Sequence, residues 1–213
     1  MNYVALILKQ RSLIMLILYY SPGACSLASH IALHEAGEKF DLAKVDLKTH
    51  TLEDGRSFKD INPKGYVPAL QFDNGDVLTE NVAILTKIAD RHSTLAAPGE
   101  YGRYRLLEML AFISSEIHKS FKPLFSASST AEEKQAAKDA IAKRLEFLAK
   151  HKQTSDTYLF GDNMTVADAY LFVMLLWAEK NGVKVPDTLR KLAEAMKARP
   201  TVHLALKHEG LAA

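Results

Sequence analysis

The most reactive side chain in the sequence is the thiol of Cys25, the only cysteine among the 213 residues. A thiol acts as a nucleophile, or pairs with a ligand, mainly as its thiolate. The unpaired N–H groups at the start of a helix stabilise that anion. A lone cysteine can also be a small apolar residue of the core. The neighbouring sequence therefore decides between these two interpretations.

The residues on either side of Cys25 predict a strand, a turn and then a helix. The run Leu16–Tyr20 is apolar and aromatic, as in a short buried strand, and Ser-Pro-Gly at 21–23 ends it. Beyond Cys25, apolar residues recur at nearly helical spacing as far as Ala36 and Gly37. Cys25 is thus predicted in the first turn of a helix. There the helix dipole would lower the pKa of its thiol, which favours a functional role.

The composition is that of an ordinary globular chain and excludes several classes of protein. Hydrophobic residues make up 48% and charged residues 24%, and a net charge of +2 without a basic block argues against nucleic-acid binding. A single cysteine rules out an internal disulfide and a cysteine-based zinc site, and it is typical of the reducing cytoplasm. No apolar run reaches the ~18 residues of a membrane span. We therefore predict a cytoplasmic protein that contacts neither membrane nor nucleic acid.

The first fourteen residues precede this pattern. They are apolar but interrupted by Lys9, Gln10 and Arg11, and they lack the basic start and small-residue cleavage site of a secretory signal. We predict that 1–14 is an N-terminal extension ahead of a natural start at Met15. An added edge strand is the alternative.

The pattern changes near residue 100 and predicts two domains. Strand patterns, a hairpin signal and helices alternate up to residue 92, whereas every strong pattern from residue 101 on is helical. The predicted domains are 15–92 and 101–213, joined by a linker at 93–100 that is rich in Ala, Pro and Gly. The predicted strands are 16–20, 40–45, 69–72 and 77–78, the predicted helices include 82–91, 130–150 and 186–197, and between them lie an exposed loop at 46–56 and a helical turn at 57–61.

Four segments in this order, YYSPGACSLASHIAL, NPKGYVPAL, LTENVAI and ISSEIHKSF, resemble the glutathione S-transferases, most closely their bacterial beta class. The resemblance extends over nearly all of residues 15–213. It implies an α/β thioredoxin-like N-terminal domain plus an all-α C-terminal domain. It also implies a homodimer and glutathione as the co-substrate, bound in the crevice between the domains.

The resemblance also implies a set of site residues. Cys25 matches the beta-class cysteine that faces the glutathione sulfur, and His118 matches the histidine that reaches towards it from the second domain. Pro68 matches the family's cis-proline, which presents the backbone of Val67 to glutathione, and Glu80 matches the acidic residue that meets the γ-glutamyl ammonium. The catalytic residues are thus Cys25 and His118, and the implied glutathione-binding residues are Tyr20, Ser26, His50, Val67, Pro68, Glu80, Asn81, Ser115 and Lys119.

The implied function is conjugation of the glutathione thiolate to small hydrophobic electrophiles. Cys25 would either orient glutathione or form a mixed disulfide with it, which would add a thiol-transferase or peroxidase side activity. The electrophile could lie among four aromatic residues of the second domain, Tyr101, Tyr104, Phe112 and Phe121.

Four positions depart from the family pattern. His50 stands where relatives carry Lys, Tyr66 where Gln is common, Asn81 where many have Gly, and Ala111 where relatives carry an Asn near the cysteine. His50, Asn81 and Ala111 motivate an alternative function, a non-catalytic binding or stress-regulatory protein with the transferase fold.

Two further patterns have structural explanations. His30 and His34, four residues apart on one helix face, could hold zinc, but the surroundings lack the Glu of a zinc protease and we predict no metal. Asp168 follows Thr165 by three residues ahead of an apolar run, as in a helix capping box.

Overall fold

The computed structural model describes residues 16–152 and 155–212. The predicted extension at 1–14 and the start at Met15 lie outside the described residues. None of the helices in the described part of the chain is long and apolar enough to cross a membrane.

The first part of the chain folds as a five-stranded sheet with two helices. The elements are β1 Leu16–Tyr20, α1 Ser26–Glu35, β2 Phe40–Asp46, β3 Thr51–Leu52, β4 Ala69–Gln71, β5 Val77–Thr79 and α2 Asn81–Arg91. The central strand β1 runs parallel to β2 and antiparallel to β4, and the strand order is β3-β2-β1-β4-β5. Strand β3 lies within the predicted exposed loop and corrects that prediction, because its two residues pair with β2 and Leu52 is buried.

The second part is helical, as predicted. Its central helix is α6, Val166–Lys180, in which 11 of 15 residues are buried, so that this helix lies in the core of the second part. The helices are α3 Gly102–Phe112, α4 Lys122–Phe125, α5 Ala131–His151, α6 Val166–Lys180, α7 Asp187–Lys197 and α8 Pro200–His208. The domain boundaries drawn from the sequence stay predictions.

The chain between α3 and α4 departs from α-helical geometry. A π-helical turn at Ile113–Ile117 is followed by a 3₁₀ turn at His118–Phe121, and α4 then begins with Pro123 in its first turn. A π turn holds more residues than an α turn, so it rotates the side chains that follow it. This irregular segment carries His118.

Helix α1 joins the two parts, because it packs on the sheet, on α2, on α6 and on α8. Buried apolar side chains from both parts form one continuous core around it. At its C-terminal end, Glu35 accepts two hydrogen bonds from Arg199, at 2.5 and 2.7 Å, and a third from the hydroxyl of Thr201. Burial would raise the pKa of Glu35, but these hydrogen bonds hold it below its ordinary value. This ion pair fixes α8 against α1.

The capping role predicted for Asp168 is confirmed. Its fully buried carboxylate accepts hydrogen bonds from the N–H and hydroxyl of Thr165 and from the N–H of Leu159, each at 2.8 Å. Burial nevertheless raises the pKa of Asp168 to about 6. Asp168 thereby secures the start of α6 and the loop that precedes it.

Candidate functional site

A cleft of about 550 Å³ lies where the sheet meets the helical part. This volume is within the usual range for sites that hold small molecules. Eight of the predicted site residues line it: Cys25, His50, Val67, Pro68, Glu80, Asn81, His118 and Lys119.

Cys25 is the residue at which α1 begins, and its thiol donates a hydrogen bond of 3.3 Å to the carbonyl oxygen of Val67. Burial raises the pKa of the thiol to about 12, although the N–H groups of Cys25 and Ser26 oppose the rise. The sequence-based expectation of a lowered pKa is therefore wrong. The dipole effect at the helix start is smaller than the cost of desolvating a thiolate, to which the charge of Glu80 adds. At neutral pH Cys25 is a neutral donor.

The partner of that thiol is held by the segment before β4. The peptide bond between Val67 and Pro68 is cis, as the family pattern implied. The buried Asn62 donates from its side chain to the carbonyl of Tyr66 at 2.7 Å and so fixes the residue that precedes Val67. The backbone of Val67 is thus presented to the cleft.

Two residues at the start of α2 also face the cleft. Glu80 has a φ of 71°, and its exposed carboxylate lies 2.5 Å from Nζ of Lys64. A left-handed backbone at a residue other than glycine is strained, and such strain is concentrated at functional sites. The side chain of Asn81 donates to the carbonyl of Cys25 and accepts from the hydroxyl of Ser29, each at 2.7 Å. Asn81 therefore positions the cysteine rather than offering a free amide.

His50 is the second residue with a left-handed backbone, with a φ of 56°. Its Nδ1 is buried and has no hydrogen-bond partner among the described residues. The close approach depends on Gly65, since a Cβ there would lie 2.9 Å from Nδ1. His50 thus brings an imidazole to the cleft.

On the helical side, Nδ1 of His118 lies 2.7 Å from the hydroxyl of Tyr170. Burial, together with the charge of Lys119, lowers the pKa of His118. Burial also raises the pKa of Tyr170, with the nearby Cys25 as a further cause. Imidazole and phenol are therefore both uncharged at neutral pH. With the phenol donating to Nδ1, the proton of the imidazole is on Nε2.

On the helical side of the cleft, sequence reasoning missed three lining residues, Ser114, Tyr170 and Trp177. Trp177 donates from Nε1 to the carbonyl of Gly23 at 2.8 Å, so it ties α6 to the turn that precedes Cys25. Tyr170 and Trp177 are seven residues apart and hence lie on one face of α6. That spacing of two polar-tipped aromatic residues in an apolar run is the signal that could have identified them.

Three of the predicted binding residues lie outside the residues that line the cleft. Tyr20 is buried in the core, Ser26 exchanges hydrogen bonds with the backbone of Ser21, and Ser115 is exposed. In the π turn, Ser114 takes the position facing the cleft instead of Ser115. Ligand-binding roles for Tyr20, Ser26 and Ser115 stay predictions. Ala111 is exposed and away from the cleft, so the departure at that position does not alter it.

The four aromatic residues expected near the electrophile are also placed elsewhere. Tyr101 and Tyr104 are exposed, Phe121 is fully buried in the core, and Phe112 packs on Phe147. An apolar groove of about 910 Å³ instead adjoins the cleft at Trp177. Among the residues lining this groove are Phe125, Leu176, Leu206 and Leu211.

Comparison with known proteins agrees with this geometry. The family model for the glutathione S-transferase N-terminal domain matches residues 23–91, and the model for the C-terminal domain matches residues 112–200. Glutathione S-transferase GstA of Escherichia coli O157:H7 is 40% identical over 199 residues, which cover 91% of this chain and 98% of that protein.

Solved structures of glutathione S-transferases are similar to this fold. A sphingomonad glutathione S-transferase complexed with glutathione is 46% identical with a TM-score of 0.85, covering 92% of this chain and all 100% of its own. The bacterial beta class glutathione S-transferase of Sphingomonas chungbukensis is 45% identical with a TM-score of 0.83, covering 92% of this chain and 99% of its own.

A thioredoxin-like sheet domain packed on a helical domain, with a cysteine and a cis-proline facing the cleft between them, defines a class of glutathione-binding fold. The chain belongs to the glutathione S-transferase family, and its structural neighbours are of the bacterial beta class. The family resemblance of the four segments is confirmed.

Proposed function

We propose that this protein is a glutathione transferase that conjugates the thiolate of glutathione to small electrophiles, with Cys25 and His118 as its catalytic residues. The observation that carries the proposal is the meeting of two sets of groups in one cleft. Cys25, Val67 and Glu80 come from the sheet side, and His118 comes from the helical side. The alternative, a non-catalytic binding protein, gains no support from a cleft in which these groups face one another.

Glutathione is an extended peptide, and its groups match those of the cleft. The backbone of Val67 would pair with the cysteinyl part, as a strand edge pairs with a peptide. The carboxylate of Glu80 would exchange Lys64 for the γ-glutamyl ammonium. His50 and Lys119 would bind the carboxylates of glutathione as hydrogen-bond donors. The start of α2 at Asn81 offers N–H groups to an anion.

Conjugation requires the thiol of glutathione to lose its proton to solvent. The resulting thiolate then attacks the electrophilic carbon, the carbon–sulfur bond forms, and the leaving group departs with its electron pair. The N–H groups at the start of α1, the thiol of Cys25 and Nε2–H of His118 would stabilise the anion by donating hydrogen bonds. Because the pKa of Cys25 is raised to about 12, its thiol suits this orienting role.

A neutral Cys25 disfavours thiol–disulfide exchange as the main activity, since the thiolate is the attacking species. We therefore rank the thiol-transferase and peroxidase activities as minor. The apolar groove beside Trp177 would accept the hydrophobic electrophile. We also infer from the family that the protein is a homodimer and works in the cytoplasm.

The test is steady-state conjugation of glutathione to an activated aryl halide such as a chlorodinitrobenzene. The wild-type protein should catalyse the conjugation. We expect kcat to fall on the order of 100-fold in His118→Ala, because one donor to the anion is lost. In Cys25→Ala we expect at most about a tenfold fall, because a neutral hydrogen bond is weaker. His151→Ala, at an exposed histidine away from the cleft, is the matched control.

Intact mass after incubation with oxidised glutathione separates the two roles of Cys25. We expect little adduct at pH 7 and more as the pH rises. A folded protein that neither accelerates conjugation nor binds to immobilised glutathione would contradict the proposal. A rapid, reducible adduct at pH 7, with conjugation abolished in Cys25→Ala, would contradict the orienting role.

A further inference from the structure

Three histidines from α1 and α8 lie close together, and none of them lines the cleft. His30 and His34 lie on α1, and His208 is the last residue of α8, which packs against it. One ring nitrogen from each lies within 4.8 Å of the other two. The rings of His30 and His208 are stacked, with centroids 5.8 Å apart. The fold therefore adds a third ligand to the pair seen in the sequence.

Two nitrogens of this cluster are buried without a hydrogen bond. Nε2 of His30 and Nε2 of His34 are shielded from water and have no partner among the described residues, and the whole of His30 has a relative exposure of 0%. Buried polar atoms in proteins are almost always paired, so each such atom requires an explanation. A bound cation that accepts lone pairs from both imidazoles would supply one.

The other nitrogen of His30 is held by a carboxylate. Nδ1 of His30 lies 2.8 Å from Oε1 of Glu209, whose side chain is fully buried, and Oε2 of Glu209 accepts the N–H of Gly23 at 2.9 Å. With its proton on Nδ1, His30 directs a lone pair from Nε2 into the cluster. Histidines that bind metals almost always donate their second nitrogen in this way, most notably to a carboxylate.

We propose that His30, His34 and His208 bind a Zn²⁺ ion through their imidazole nitrogens, with Glu209 as the outer partner that orients His30. Imidazole ligands suit zinc, whereas Mg²⁺ and Ca²⁺ require oxygen. Phe40 packs edge-on against His30 and His34, with centroids 5.7 and 4.9 Å away, and encloses the buried side. The exposed side at His208 leaves the fourth position to water.

The three nitrogens need only a small adjustment to bind the ion. Zinc–nitrogen bonds of about 2.0–2.1 Å in a tetrahedron separate the ligand atoms by about 3.3 Å, which is less than the 4.8 Å span of the cluster. His208 is exposed at the end of its helix, so its side chain is free to rotate inwards. The ion pair between Glu35 and Arg199 keeps α8 in place during this movement.

The test uses the full chain after removal of metals with EDTA. Zn²⁺ is titrated in competition with a coloured chelator, and we expect one ion per chain. His208→Gln should weaken binding at least roughly 100-fold and Glu209→Gln by about 10–100-fold, the usual effect of losing an outer partner. His203→Gln, at another exposed histidine of α8, is the matched control and should bind like wild type. At 100 times the Kd, zinc should raise the Tm of wild type by roughly 5 °C or more.

Co²⁺ in place of Zn²⁺ distinguishes this site from one at Cys25. We expect visible bands of a nitrogen-ligated ion and no charge-transfer band from a thiolate, with the same spectrum in Cys25→Ala. Equal zinc affinity of wild type and His208→Gln would overturn the proposal. So would a thiolate band that disappears in Cys25→Ala, or a wild-type protein that takes no zinc from the chelator.

Discussion

The two walls of the cleft hold their functional groups by different means. On the sheet side the backbone does most of this, since Cys25 begins a helix, Val67 precedes a cis bond, and Glu80 has a left-handed backbone. The side chain of Asn81 adds a hydrogen bond to the carbonyl of Cys25. On the helical side, distant side chains do so. His118 depends on Tyr170, which lies 52 residues further along the chain. The sheet wall is therefore encoded in short segments, whereas the helical wall depends on the packing of α6.

The difference extends to the buried ionisable groups of the two parts. Burial raises the pKa of both Cys25 and Asp168, to about 12 and about 6 respectively. Asp168 has three strong donors that stabilise its charge, and its structural role depends on them. Cys25 itself donates its one side-chain hydrogen bond, to Val67, so its anion is favoured only by nearby N–H groups. Burial thus keeps the thiol of Cys25 neutral at neutral pH.

Among the substitutions that test this comparison, we expect the largest effect from removing Asp168, which caps the start of α6. Asp168→Ala leaves the N–H of Leu159 and the N–H of Thr165 without their acceptor, at about 1–3 kcal/mol for each buried group. We expect the free energy of unfolding to fall by about 3 kcal/mol, measured by urea denaturation. The matched control Asp162→Ala removes an exposed carboxylate from the same loop. The hydrogen bonds that it accepts from Thr157 are long, at 3.3 and 3.4 Å, and exposed to water, so stability should change by less than about 0.5 kcal/mol.

The pH dependence of the Asp168 effect sharpens this test. The pKa of Asp168 is about 6 in the folded protein, above the value near 3.9 in the unfolded chain. The protonated carboxyl group therefore makes its full contribution to folding stability below the unfolded pKa, and this contribution is lost as the pH rises through the folded pKa. The stability difference between wild type and Asp168→Asn should therefore shift against wild type by about 1 kcal/mol from pH 5 to pH 7. A difference independent of pH would contradict the raised pKa.

The second effect concerns His118 and its positioning by Tyr170. Tyr170→Phe removes the hydroxyl that lies 2.7 Å from Nδ1 while keeping the ring in the core. We expect kcat for conjugation to fall by about tenfold, as for loss of about 1.4 kcal/mol, with KM for glutathione nearly unchanged. The acidic limb of the pH–rate profile should also move, because the hydroxyl fixes the proton of the imidazole.

Tyr158→Phe is the matched control, since that buried hydroxyl contacts Arg199 away from the cleft. Equal losses of activity in the two variants would indicate a general effect on the fold. An unchanged pH profile in Tyr170→Phe would contradict the positioning role.

The contrast between the walls also explains what the sequence could predict. Cys25, Pro68 and Glu80 stand in contiguous motifs with turn and cap signals, and all three line the cleft. Most strands and helices also match their predicted spans within one or two residues. Strand β3, Thr51–Leu52, is too short to leave a periodic pattern.

The remaining features arise from long-range packing. Tyr170 and Trp177 resemble core residues in their apolar run, and no local signal marks the π turn that favours Ser114 over Ser115. The pKa of Cys25 depends on burial, which spacing does not reveal. Likewise His208 is 174 residues from His34, so only the fold brings them together.

The smallest effect belongs to the sheet wall, at Glu80. Glu80→Gln keeps the size of the side chain but removes the charge proposed to meet the γ-glutamyl ammonium. The carboxylate is 65% exposed, so water screens it and its contribution is limited to about 1 kcal/mol. We therefore expect KM for glutathione to rise about fivefold while kcat is retained, since binding before and during the reaction is weakened equally. Glu53→Gln, an exposed glutamate in the loop after β3, is the control and should leave KM unchanged. A fall in kcat at unchanged KM would instead mean that Glu80 acts on the reacting sulfur, which would place charge, and not only backbone geometry, among the means by which the sheet wall works.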